Sequence, residues 1–396
     1  MKLTTWKAAA SALTCNLAGL TLALLLNKWR KLKSMNIAFI SSGNSVHVKK
    51  LANGLISHGH SITLYTLPNH NKLVSDFDGK VKIVYLPFGG KFGYYLNAPI
   101  LRNLLKKGKY DIVNCHYVSG YGTLARLTNV QPLVLSVFGS DVYKYPYKSK
   151  ANLQRIIKNL DAAKVITSTS QVMASAVRKI YDTDKTIYVT PFGVDVDLFK
   201  PLDLPKNRST FNFGIVKKLE HIYGIHDLIT AFSKMRNNLR EEDRNQVHLS
   251  IYGSGSKKID YKKLVHEIGI DDSVTFHGFI RNELVPNAFN QMDVACFPSE
   301  SESFGVAAVE AMACGVPVIT SDASGFTEIV ENFKCGFIIP KRDTNAFADK
   351  MLEMFYMDKI KMREMGKFGY QRVHKLYDFK KNMKTYIEAI SKSIGK

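Results

Sequence analysis

From residue 35 onward the apolar positions switch repeatedly between strand and helix spacing. Residues 36–41 (NIAFIS) form a short, nearly continuous apolar run, as a parallel strand covered on both faces requires. Residues 42–45 (SGNS) read as a turn. Val48, Leu51, Ala52 and Leu55 then recur at helical spacing until Gly59 ends the segment. Further strands are predicted at residues 61–66, 81–85, 111–115, 133–137 and 164–167. Repeated strand–helix–strand units imply a parallel, doubly wound sheet. A polar, Pro-containing stretch at residues 201–208 (PLDLPKNR) reads as a linker, and a second series follows it. Its strands are predicted at 212–216, 247–252, 273–277, 294–297, 316–320 and 336–339. The expected architecture is α/β: two tandem Rossmann-like domains with an interdomain cleft, where facing C-terminal strand edges bind ligand. The expected boundaries are an apolar segment at 1–34, a first domain at 35–203 and a second at 204–375. A C-terminal helix at 376–396 is expected to pack back on the first domain.

The length of 396 residues suits two domains at roughly 100–200 residues each. The 45% hydrophobic and 22% charged content excludes disorder or a collagen-like repeat as the main architecture. The net charge of +21 is unevenly spread: residues 1–200 hold 27 Lys and Arg against 9 Asp and Glu, and residues 201–396 hold 28 against 25. A basic first half suits nucleic acid, an anionic membrane face or a phosphorylated substrate. Residues 8–26 carry no charge, and Lys28, Arg30, Lys31 and Lys33 follow them. That pattern reads as a single signal anchor with its C-terminal side cytoplasmic; the other reading is that the working chain begins at Met35. At residues 97–109, Ile100, Leu101, Leu104 and Leu105 share one helical face flanked by Arg102, Lys106, Lys107 and Lys109. Such a face suits an anionic membrane surface or an ordinary core contact. Cys15, Cys115, Cys296, Cys314 and Cys335 show no metal-binding spacing and read as reduced, buried thiols.

The chemistry concentrates in residues 298–318, PSESESFGVAAVEAMACGVPV. This stretch follows a predicted strand and opens a helix, whose first-turn N–H groups can receive a phosphate. Glu302 lies in the loop before the helix, and Glu310 lies about two turns inside it. Two carboxylates so placed need different partners, and hydroxyl groups fit both. The phrase running from Glu302 to Val318 resembles the E-x7-E region of retaining GT-B glycosyltransferases, specifically glycosyltransferase family 4.

Other segments carry the same resemblance. Residues 191–201 (PFGVDVDLFKP) look like the family's P-N-G-V-D-x3-F-x-P stretch, with Phe192 in place of the usual Asn. Residues 213–229 resemble its G-R-L-x3-K-G-x3-L-I segment, where two cations grip the donor diphosphate. Counted back from Gly224, Lys218 takes the Arg position and Tyr223 the Lys position, with Lys217 next door as a partial substitute. Residues 276–280 (FHGFI) look like the nucleoside-lining stretch, with Gly278 and Phe279 contributing backbone. The loop at Gly43 resembles the one that approaches the donor phosphate. Residues 136–142 (SVFGSDV) resemble the family's H-G-S-D-V stretch, with Phe138 at the His position.

The resemblance implies a retaining glycosyltransferase in cell-surface polysaccharide or glycolipid biosynthesis. Its donor would be a nucleotide diphosphate sugar held by Glu310 at the ribose hydroxyls. Glu302 would hold the transferred sugar. Lys218, with Lys217, Ser303, Phe304 and Gly305 at the helix start, would face the diphosphate. His116 and Asp141 are candidate sugar or acceptor contacts. No cofactor and no metal is expected: Asp195-Val196-Asp197 mimics a metal-binding D-x-D but coincides with the G-V-D turn. The expected partners are a lipid-linked or membrane glycoconjugate acceptor and an anionic membrane surface at its cytoplasmic face, with no nucleic acid. The rival readings are a nucleotide-sugar 2-epimerase of the same architecture and, from another class, a basic nucleic-acid-binding protein. No nucleic-acid-binding module is recognisable in the sequence to support the latter.

Overall fold

The first strand, β1 (Asn36–Ile40), is central because four of its five residues are buried, as its apolar run demands. The computed structural model describes residues 34–205 and 209–395. Around β1 lie β2 (Ser61–Thr66), β3 (Lys82–Tyr85), β4 (Ile112–His116), β5 (Leu133–Val137), β6 (Val165–Ser168) and β7 (Ile187–Val189). They form one parallel sheet in the order β3-β2-β1-β4-β5-β6-β7. β7, only three residues long, is too short a run for the sequence pattern to announce.

The second sheet holds β8 (Phe211–Val216), β9 (Val247–Tyr252), β10 (Val274–Gly278), β11 (Val294–Phe297), β12 (Val318–Ser321) and β13 (Gly336–Ile339). Its order is β10-β9-β8-β11-β12-β13, again parallel throughout. The strand order reverses beside β1 and beside β8, and the loops leaving those strands reach the crevice. The predicted architecture of two Rossmann-like domains is thus present.

Two crossings join the domains, and they run side by side. Val194 N–H donates to Tyr377 O at 2.8 Å, and Phe379 N–H donates to Val194 O at 2.9 Å. The helix Phe379–Ser391 then lies on the first domain, with Met383 against Gly54 and the Tyr386 hydroxyl between Asn114 and His116. Among the described residues no helix is long and apolar enough to cross a membrane. The predicted anchor at residues 8–26 lies outside the described residues, as do residues 206–208 of the linker.

The helix Ala98–Gly108 forms where its apolar period predicts, but the core claims its inner face. Leu101 and Leu105 are buried, while Ile100 stays exposed. A stripe already packed on protein cannot also enter lipid, which corrects the membrane reading of that face.

Candidate active site

The residues of the Glu302 loop are pinned from three sides. Glu300 N–H donates to Ile222 O at 3.0 Å, Gly325 N–H to Glu302 O at 2.9 Å, and the Ser321 hydroxyl to Ser299 O at 2.5 Å. Gly305, at φ +96°, turns the chain into the helix Val306–Ala313. Phe304 is buried, and Ser303 stands against Gly139 of the first domain: a Cβ added to Gly139 would lie 2.7 Å from Ser303 Cβ. The two domains therefore touch at this loop.

Lys217 continues β8 by one residue, its N–H donating to Tyr252 O at 3.0 Å. Its ammonium meets Glu302 Oε2 at 2.5 Å, with the two side chains only 14% and 12% exposed, and lies 4.6 Å from the centre of the Tyr223 ring. Burial works against the Lys217 charge, but Glu302 more than compensates and holds the ammonium above its usual range. Glu310, 8% exposed, sits on the buried side of the helix Val306–Ala313. Burial pushes its carboxyl up to about 7, against the pull of Lys50 and Lys217. No side chain among the described residues closes a hydrogen bond on it, so its lone pairs are available to a ligand.

Two first-domain residues complete the cluster, and the sequence reading did not single them out. His47 and Lys50 project from the helix Val46–Ser57 on the flank beside Leu51, turned from Val48 and Leu55. With Leu51, Phe192, Val306 and Phe379 they line a small interdomain cavity. Burial, then Lys50 and Lys217, brings the His47 imidazole down to about 4, so it is neutral at pH 7. The signal was available: helical spacing puts 47 and 50 at the edge of the core stripe, one turn after the Gly43 loop. His47 stacks on Phe192 at 4.0 Å, and Phe192 meets Phe138 edge-on at 4.9 Å and Phe304 at 6.2 Å. Phe192 and Phe138, the two residues that depart from the family's Asn and His, are therefore in contact with each other.

Other predicted residues fall elsewhere. Lys218 points to solvent, because side chains alternate along the extended chain leaving β8 and Lys217 has the cleft side. Lys217 is accordingly the cation that faces Glu302. His116 is sealed between Phe39, Phe138 and Tyr386, and burial lowers its imidazole to about 3; it lies in the core, not in the cleft. Asp141 is also buried, and its carboxylate accepts from Val118 N–H at 2.9 Å and Gly139 N–H at 2.7 Å. Those bonds brace the loop that carries Gly139, so Asp141 positions rather than contacts. Gly43 N–H is held by the Thr66 hydroxyl at 3.0 Å, and a Cβ there would strike His70 O at 2.5 Å. Gly278 closes β10, and Phe279 lies exposed just beyond it. Asp195 caps the turn N–H groups of Asp197 and Leu198, while Asp197 pairs with Lys380 at 2.5 Å. A far roomier cavity, about 850 Å³, lies at the N-terminal edge of the second sheet near Asn212, Asp293 and Arg363. Parallel sheets bind ligands at the opposite edge, so the interdomain cluster is the candidate site.

Comparison with known proteins bears on the fold and the class of enzyme. Residues 199–372 match the family described as Glycosyl transferases group 1, and residues 36–170 match the family described as Glycosyl transferase 4-like. The chain is 27% identical over 380 residues to D-inositol 3-phosphate glycosyltransferase of Arthrobacter sp. (strain FB24), covering 84% of this chain and 88% of that one. Sucrose-phosphate synthase from Thermosynechococcus elongatus superposes with a TM-score of 0.75 at 21% identity, over 89% of this chain and 97% of the other. Anabaena HepE in complex with UDP-glucose superposes with a TM-score of 0.73 at 18% identity, over 90% and 100%. The fold is GT-B. The chain is a glycosyltransferase that uses a nucleotide sugar.

Proposed function

We propose that the enzyme transfers its sugar with retention of anomeric configuration, through direct stabilisation of the leaving diphosphate. The observation that carries this reading is the Lys217–Glu302 pair beside the unpartnered Glu310 carboxylate, all inside the interdomain cleft. Glu310 accepts from the ribose hydroxyls. Glu302 holds hydroxyls of the transferred sugar and keeps Lys217 aimed at the diphosphate. Lys217 and the first-turn amides of the helix Val306–Ala313 offset the charge that grows on the leaving group, where a water-poor site makes such contacts strongest. The departing phosphate oxygen takes the acceptor proton on the same face as attack, so no protein base is assigned. Each of these steps uses side chains and amides of this chain, and none requires a divalent ion. The acceptor is a hydroxyl of a cell-surface polysaccharide or glycolipid precursor, supported by the basic first domain. HepE, solved with UDP-glucose, supports starting with uridine donors.

The test is calorimetry with UDP, followed by transfer assays with and without EDTA. Glu310→Ala should lose on the order of 2–4 kcal/mol of UDP affinity while remaining folded. NMR of the product should show the donor's anomeric configuration, and EDTA should leave the rate intact. Unchanged UDP affinity in the variant would remove Glu310 from the donor site. An inverted product would exclude retention.

A further inference from the structure

The charge at the donor site does not balance within the second domain. A nucleotide sugar brings a multiply charged diphosphate, and that domain offers little net charge to meet it. Lys217 is matched by Glu302, with both side chains nearly buried. Glu310 adds negative charge whenever it ionises. Lys218 points to solvent, and Tyr223 turns a ring face, not a cation, to the Lys217 ammonium. The first-turn amides of the helix Val306–Ala313 supply only partial charge.

A cation without a partner stands across the cleft, on the first domain. Lys50 is half-buried and lines the interdomain cavity together with Phe192 and Val306, the first residue of the helix Val306–Ala313. Its neighbour Lys49 turns away to Asp76 at 3.3 Å, whereas Lys50 closes no hydrogen bond or ion pair among the described residues. Its three N–H donors are therefore available to a ligand. The cations that pull on the Glu310 carboxyl are Lys50 and Lys217, and the same two act on His47. The two ammonium groups thus approach one space from opposite domains. His47 is neutral at pH 7 and cannot supply the charge.

We propose that Lys50 binds the donor diphosphate, supplying from the first domain the positive charge that the second domain lacks. Its stem lies beside Phe192, and its ammonium extends to the phosphate oxygens received at the start of the helix Val306–Ala313. The diphosphate then ties the two domains together, while a nucleoside alone, held by Glu310, does not. The inference rests on the donor reading above and adds to it a binding residue from the other domain.

The test is ligand titration of the full chain by NMR with UDP, GDP and ADP, each beside its nucleoside. Lys50→Met keeps the length of the stem and removes the charge. It should weaken binding of the diphosphate that the parent prefers by roughly tenfold, the scale of one charge-assisted hydrogen bond, and leave the nucleoside affinity unchanged. Lys50→Arg, which keeps the charge, should stay within about threefold of the parent. Intact nucleoside binding also shows that the variant site is folded. Full diphosphate affinity in Lys50→Met would overturn the proposal. Equal losses for nucleoside and diphosphate, or a loss in Lys50→Arg as large as in Lys50→Met, would mark a packing role and overturn it too. A parent that binds none of the three diphosphates would instead overturn the donor reading, and this proposal with it.

Discussion

Burial raises the Glu310 carboxyl from 4.5 to about 7, and the shift has a consequence for stability. The folded state binds this proton more tightly than the unfolded chain does. The associated stabilisation is complete below pH 4.5 and is lost as pH rises through about 7. Glu310→Gln, which cannot ionise, should therefore exceed the parent by about 3 kcal/mol at pH 8 without ligand, and the gap should close toward pH 5. Urea unfolding across that range checks it; a gap independent of pH would mean that Glu310 is not desolvated. The two adjacent lysines separate just as sharply. Lys217→Ala should lower kcat/KM by roughly 10²–10³, the scale for deleting one preorganised transition-state donor. Lys218→Ala should stay within about threefold, as an exposed substitution does. Steady-state kinetics on both variants decides it. The sequence shows two consecutive lysines and an approximate spacing to Gly224. Only the direction in which the chain leaves β8 shows which lysine faces the cleft.

Helices and strands were legible wherever an apolar period was long enough to repeat. The helix Ala98–Gly108 is the instructive case, because its stripe announced a helix but not what the stripe would meet. Core and bilayer are both apolar, so periodicity cannot distinguish them. The first domain buries Leu101 and Leu105, and the exposed apolar side chains are Phe92 and Leu96 on the short helix before it. Leu105→Ala should cost about 2–4 kcal/mol of stability as a cavity mutation. Ile100→Ala should change stability by less than about 0.5 kcal/mol. Chemical denaturation of the two variants measures both. Equal, small effects would return that helix face to the solvent or the membrane.

Across the whole molecule, the two domains are bridged by a contact that no motif announces. Glu328 Oε2 of the second domain accepts from Val172 N–H at 3.0 Å, in the first turn of the helix Gln171–Ile180 of the first domain. A carboxylate at a helix N-terminus also gains from the helix dipole. Glu328→Ala should shift the population toward an open cleft, seen as a larger radius of gyration in solution scattering and faster exchange at the Val172 amide. No change in either would make the contact incidental to closure. By itself the sequence determined the alternation of strands and helices, the two-domain division, and the loop–helix that carries Glu302 and Glu310. These follow from local spacing, which neighbours in the chain impose. The tertiary structure decided that Lys217 rather than Lys218 faces Glu302, that His116 and Asp141 serve the core and a loop, and that His47 and Lys50 line a cavity against the Glu310 helix from the other domain. Residues more than two hundred positions apart meet there, and which side chain reaches a shared cleft depends on how two sheets pack, a property no local pattern encodes.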